Sequence, residues 1–184
     1  MAEYKTLKER LNGFTGDYNF EEWDTGFLKM KIEKATLADL PDILQLQYLA
    51  YQSEAKLLNN YNIPPLKQTL EEIIAEYHKG IILKAVRDDK VIIGSVRAYA
   101  ENHTLFIGKL MVRPDFQGQG IGTRLLKEIE KICPQPRYEL FTSDKSERNL
   151  KLYERLGYVR FKNITVSSDL TFIYLEKSQT LWKS

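Results

Sequence analysis

The run VRPDFQGQGIGTRLLKEIEKI, residues 112–132, constrains the fold more tightly than any other stretch of the chain. Gly118, Gly120 and Gly122 occupy alternate positions between an extended apolar run, TLFIGKLMV, and an amphipathic one. Ile121, Leu125, Ile129 and Ile132 recur at i, i+4, i+8 and i+11, which predicts a helix, running to about Cys133, with one face on a sheet. A strand must therefore pass into a helix through a loop with little side chain. Glycines there can serve a turn and a close helix–strand contact. They also let main-chain N–H groups approach a bulky anion with no Cβ in the way. The first N–H groups of the helix and the positive end of its dipole face the same point. That coincidence points to a phosphate-bearing ligand.

Two familiar phosphate loops do not fit. A mononucleotide P-loop requires Gly-x4-Gly-Lys-Ser/Thr, and the chain has no such run. The dinucleotide fingerprint requires Gly-x-Gly-x-x-Gly early in a βαβ unit. Here the spacing is Gly-x-Gly-x-Gly, and it follows three strands that read as antiparallel.

The surrounding pattern predicts the elements. FLKMKIEKA alternates like a half-exposed strand. Asp39 is the expected cap of a first helix, with Pro41 in its first turn and Ile43, Leu46, Leu49 and Ala50 facing the core. PPLKQTLEEIIAEYHKG reads as a second helix with Leu66, Leu70, Ile73, Ile74 and Tyr77 on one side and Gly80 as its stop. Asp88, Asp89 and Lys90 join two strands in a hairpin, and Glu101-Asn102 turns into a third. After the glycine loop and its helix come a strand (RYELFTS), a helix closed by Gly157, and a last strand pair. The order is β-α-α-β-β-β-α-β-α-β-β.

Residues 1–28 differ from the rest. Three basic residues against six acidic ones give this segment −3, so the remainder carries +5 of the formal +2 total. Phe14, Tyr18, Phe20 and Trp23 are interleaved with turn formers. The segment is either an arm packed on the domain or on a second subunit of a homodimer, or a partly ordered leader. A body charge of +5 without a clustered stripe argues against nucleic acid as the main partner. Cys133 is the single cysteine and there are two histidines, so no disulfide and no metal are expected. No apolar run reaches the ~18 residues that span a bilayer, and the chain is expected to be cytoplasmic and off the membrane.

At VRPDFQGQGIGTRLL the sequence closely resembles the GNAT superfamily of N-acetyltransferases. Gln117, Gly120 and Gly122 meet the Gln/Arg-x-x-Gly-x-Gly/Ala signature, after a strand ending in Val-x-Pro. ELFTSDKSERNLKLYERLGY is similar to the second motif, a helix carrying Asn-x-x-x-Tyr and ending at Gly-Tyr. The resemblance covers about residues 29–178 and leaves a tail at 179–184. It implies the acyl-CoA N-acyltransferase fold: α+β in three layers, with a mixed central sheet of about seven strands and about four helices.

The resemblance also implies roles. Leu110, Met111 and Val112 would lie on a bulged strand whose free main-chain groups hold pantetheine, with the Val112 N–H polarising the thioester carbonyl. The pyrophosphate of acetyl-CoA would sit on the amides of Gln117, Gly118, Gln119, Gly120, Ile121 and Gly122, with the Thr123 hydroxyl beside them. Asn149 would bind the cofactor arm, and Tyr153 would protonate the departing thiolate. Arg113, Lys145 and Arg148 either face the 3′-phosphate or are solvated. The strand before the loop lacks the carboxylate that some relatives use as base, which leaves Glu101, His103, Glu139 or a water chain. The acceptor pocket would draw on the first two helices and their link, where Tyr48, Tyr51, Glu54 and Tyr61 stand. The activity implied is direct acetyl transfer to a primary amine of a small molecule or peptide. The missing base keeps open a second reading, a catalytically weak acyl-CoA-binding module whose arm contacts a partner.

Overall fold

A computed structural model describes residues 29–178, and the expectations for 1–28 and 179–184 lie outside the described residues. Seven strands form one sheet: β1 (Met30–Lys34), β2 (Ile81–Arg87), β3 (Ile92–Glu101), β4 (Thr104–Val112), β5 (Arg137–Ser143), β6 (Val159–Ser167) and β7 (Leu170–Ser178). Their order across the sheet is β1-β2-β3-β4-β5-β7-β6. Four α-helices complete the chain: α1 (Leu40–Leu57), α2 (Leu70–Lys79), α3 (Ile121–Ile132) and α4 (Glu147–Arg155). The element order is the one that the hydrophobic periodicity predicts.

Alternation along the strands divides the core into two layers. On β2, Ile82 joins Leu40, Ile43, Leu44 and Leu46 of α1 and Ile73 of α2. Its neighbours Leu83 and Ala85 point the other way, to Ile121, Leu125, Leu126 and Ile129 of α3 and to Leu150 and Tyr153 of α4. The sheet is therefore sandwiched between α1/α2 and α3/α4. Among the described residues no helix is long and apolar enough to cross a membrane.

The sheet is antiparallel except at its centre, where β4 and β5 run parallel. That pairing lasts only from Thr104–Arg137 to Phe106–Glu139. Beyond it β4 stays with β3 as far as Val112, while β5 stays with β7 as far as Ser143. The two strands thus part and open a cleft over the C-terminal half of β4.

Several local expectations are corrected. Asp39 does not cap α1; its carboxylate accepts the Thr36 N–H at 2.7 Å and closes a capping box around a short 3-10 turn, Leu37–Asp39. Leu49 is 47% exposed, and the core positions beside it belong to Leu44 and Gln47. The second helix does not begin at Pro64. Pro64–Leu66 is a separate 3-10 turn, and α2 starts after Thr69, whose hydroxyl and N–H form a capping box with Glu72. Gly80 ends α2 for reasons of space. Its φ of −153° is extended, and a Cβ there would lie 2.1 Å from the Ala98 carbonyl oxygen.

Candidate active site

The cleft has a bulge at its lip. Met111 pairs with Ser95 and Gly108 with Arg97, so Lys109 and Leu110 together oppose Val96. Lys109 takes φ +51°, a left-handed conformation uncommon for a residue with a Cβ. The Arg113 N–H donates to the Ile93 carbonyl at 2.8 Å, back toward β3. In an antiparallel ladder successive residues face opposite neighbours, so the main-chain groups of Val112 turn toward the side that β5 has left. The Val112 carbonyl accepts Gln117 Nε2 at 3.1 Å on that side.

The glycine loop adjoins this strand end. Gly118 and Gly120 have φ of +81° and +77°, and a Cβ on either would meet nothing within 4 Å. The glycines are required there by backbone conformation, and they leave the space in front of the loop open. Gly122 differs: a Cβ would sit 3.7 Å from Leu152 and 3.8 Å from Val112, so it lets α3 close on the β4 end and α4. The Ile121 side chain is in the core and only its main chain is available to a ligand. Gln117 is a brace, with its amide nitrogen on Val112 and its Oε1 accepting from Arg148 of α4. Arg148 is thereby held beside the loop, while Arg113 pairs with Asp115 at 3.0 Å and Lys145 is exposed.

Across the cleft from Val112 stands α4. Tyr153 is 6% exposed, and among the described residues no hydrogen bond engages its hydroxyl. Tyr158, 6.1 Å away ring to ring, instead donates its hydroxyl to Glu130 at 2.7 Å and is structural. Burial raises the proton affinity of Tyr153, and the nearby Tyr51 and Glu54 add to it. The phenol therefore stays protonated at any physiological pH. Asn149, one turn before it, donates to Ser146 Oγ at 3.2 Å and Thr142 Oγ1 at 3.4 Å.

On the other face of the sheet α1 packs over Met111 of β4. Gln47, Tyr51 and Glu54 fall at i, i+4 and i+7, so they share a face. Gln47 anchors that face. Its Oε1 accepts Arg97 Nη2 at 2.7 Å, and Arg97 also reaches Gln68 and Glu76. Tyr51 is pushed up to about 12 by burial, with Glu54 and Glu76 adding and Arg97 opposing. The Lys109 ammonium lies 5.7 Å from the Tyr51 ring centroid. Burial lowers the Lys109 pKa, and Arg97 contributes in the same direction against Glu76 and Glu72. Glu54 accepts Ser146 Oγ at 3.1 Å, and burial outweighs that bond to raise its pKa.

Val112, the glycine loop, Asn149, Tyr153 and Tyr51 are thus gathered around one cleft. The other acceptor candidates are not. Tyr61 is 61% exposed in the link after α1. Glu101 and His103 sit in the β3–β4 hairpin, where Asn102 and His103 have positive φ. From there to Met111 is about 25 Å along the strand. Glu139 is ion-paired with Arg137 at 2.7 Å. Sequence reasoning passed over Lys109 and Ser146, and it named Glu54 only as a pocket residue. The bulge that brings Lys109 to Tyr51 has no local sequence signature.

Among the described residues no cluster of His, Cys, Asp and Glu is arranged to hold a metal ion. A family model described as the acetyltransferase (GNAT) family matches residues 40–158. The UPF0157 protein YqkA of Bacillus subtilis (strain 168) is 27% identical over 145 residues, covering 78% of this chain and 40% of that protein. The chain thus spans well under half of that relative. The uncharacterized N-acetyltransferase ycf52 of Porphyra purpurea is 24% identical over 152 residues, covering 76% and 84%. The fold is similar to that of the PaiA N-acetyltransferase from Thermoplasma acidophilum, solved in complex with coenzyme A. The TM-score is 0.69 at 17% identity, covering 83% of this chain and 100% of that one.

Proposed function

The chain belongs to the acetyltransferase (GNAT) family, and we propose that it is an acyltransferase that moves acetyl from acetyl-CoA to a primary amine of a small molecule or peptide by direct attack in a ternary complex. The observation that carries this reading is the cleft between β4 and β5, with the Val112 main chain on one wall and, on the other, the Tyr153 hydroxyl, which makes no hydrogen bond among the described residues. Bound acetyl-CoA supplies an activated thioester. The amides of 117–122 and the start of α3 take its pyrophosphate. The main chain at Leu110 and Val112, on either side of Met111, takes pantetheine as an added strand.

The chain's own groups then act on the reacting atoms. The amine nitrogen attacks the thioester carbon, the C–N bond forms, and charge on the carbonyl oxygen is met by the Val112 N–H. As the C–S bond breaks, Tyr153 gives its proton to sulfur. Burial that keeps the phenol protonated also raises the basicity of a thiolate beside it, so the two stay matched. Calorimetry with acetyl-CoA, followed by CoA release with spermidine, kanamycin, lysine and an alanine-led tetrapeptide, tests the proposal. Binding with turnover on at least one amine is expected. Native protein that gives no heat with acetyl-CoA would overturn it.

A further inference from the structure

The transfer needs a group to deprotonate the acceptor, because an alkyl ammonium of pKa ~10.4 has no lone pair at neutral pH. Resting on the reading above, we propose that Glu54 is this general base, receiving the ammonium proton at the α1 side of the β4–β5 cleft.

Other carboxylates near the sheet centre are engaged. Glu139 and Glu176 hold Arg137, Glu76 holds Arg97 and Gln68, and Glu72 caps α2. Glu147 is exposed with Lys151. Among the described residues no cation pairs with Glu54. Its partner is Ser146, 7% exposed, whose hydroxyl donates to Glu54 at 3.1 Å. Ser146 stands at the N-cap of α4 yet makes no side-chain cap there. That hydroxyl in turn accepts Asn149 Nδ2 at 3.2 Å. One turn of α4 thus orients one carboxylate oxygen, and among the described residues no hydrogen bond engages the other.

Burial raises the proton affinity of Glu54 and the Ser146 bond opposes it, and the groups around it come from three elements. Tyr51 lies on its own helix, and Ser146, Asn149 and Tyr153 lie on α4. Lys109 of β4 is beyond the Tyr51 ring. Burial raises the Glu54 pKa above the ordinary carboxylate value, the direction that strengthens a base. The proton balance closes. Glu54 takes one proton from the ammonium and later returns it to solvent. The second N–H proton is lost as the tetrahedral adduct collapses, restoring the proton that Tyr153 gave to sulfur.

The test is kcat for wild type and Glu54→Gln from pH 6 to 10, with the most active of the four amines above, beside acetyl-CoA affinity by calorimetry. The variant is expected to keep its acetyl-CoA affinity within twofold and to lose about 100-fold in kcat at pH 7. The loss should shrink as rising pH frees the amine. A second readout needs no substitution: with the range extended down to pH 4.5, wild-type kcat should climb through one ionisation displaced above the ordinary carboxylate value, and Tyr153→Phe should retain that limb. A deficit constant across pH, a kcat within threefold of wild type, or a wild-type profile without that limb would overturn the role of Glu54 while leaving acetyl transfer intact. Wild-type protein that binds acetyl-CoA and acetylates none of the amines would overturn both readings.

Discussion

Tyr153 and Tyr158 show how little residue type alone decides. Both are buried on the same side of the sheet, five positions apart. The Tyr158 hydroxyl is tied to Glu130, and among the described residues the Tyr153 hydroxyl makes no hydrogen bond. Tyr153→Phe should therefore lower kcat about 100-fold while acetyl-CoA affinity stays within twofold. Equal losses in both, seen by calorimetry and steady-state kinetics, would mark a packing residue. Asp39 offers a test of electrostatics at the same scale. Burial would raise its pKa, but bonds from Lys84 at 2.7 Å and from Thr36 outweigh it, and the net shift is below 3.8. A depressed carboxylate stabilises the fold above its unfolded pKa and loses that effect as pH falls through the folded value. Asp39→Asn should thus be less stable than wild type at pH 7, and urea titrations should show the gap closing below pH 3.8.

At the scale of elements, the loop into α3 is defined by dihedrals and α1 by a polar anchor. Valine at position 120 would have to hold φ +77°, where its branched Cβ crowds the backbone. Gly120→Val should abolish acetyl-CoA binding in calorimetry while circular dichroism shows the fold retained, since the position touches no core side chain. Arg97 holds α1 to α2 through Gln47, Gln68 and Glu76. Arg97→Met leaves two buried amides and a carboxylate short of a donor. It should cost about 2 kcal/mol, below the figure for a fully buried pair because Glu76 is 41% exposed. Acceptor KM should rise with it, because Tyr51 and Glu54 ride on the same helix face. A denaturation midpoint unchanged from wild type would show that the network contributes nothing.

Over the whole molecule, the sheet is two halves joined at its centre by three parallel residue pairs. On the proposed reading, a cofactor laid along Leu110–Val112 and capped by α3 and α4 would bridge that seam. At 100 times its Kd, acetyl-CoA should stabilise the protein by about 2.7 kcal/mol and raise Tm by roughly 5–10 °C. Hydrogen exchange should slow at 110–112 and 117–122. A shift confined to the β1–β3 side would place the ligand elsewhere.

Much of this was legible in the sequence because it is local. Period-2 and period-3.6 patterns named all seven strands and four helices, and the glycines marked the loop because only they take positive φ without strain. Errors fell where local signals compete: Thr36 outbid Asp39 for a cap, and Thr69 cut short a helix that apolar spacing alone would extend to Pro64. The resemblance implied a bulged strand at Leu110–Val112, but the left-handed turn at Lys109, the end of the β4–β5 pairing at Phe106 and the meeting of Glu54 with Ser146, ninety-two positions apart, came only from the tertiary structure. Periodicity reports which way each side chain faces along one element. Which carboxylate faces which hydroxyl depends on how distant elements cross, and no short window of sequence holds that.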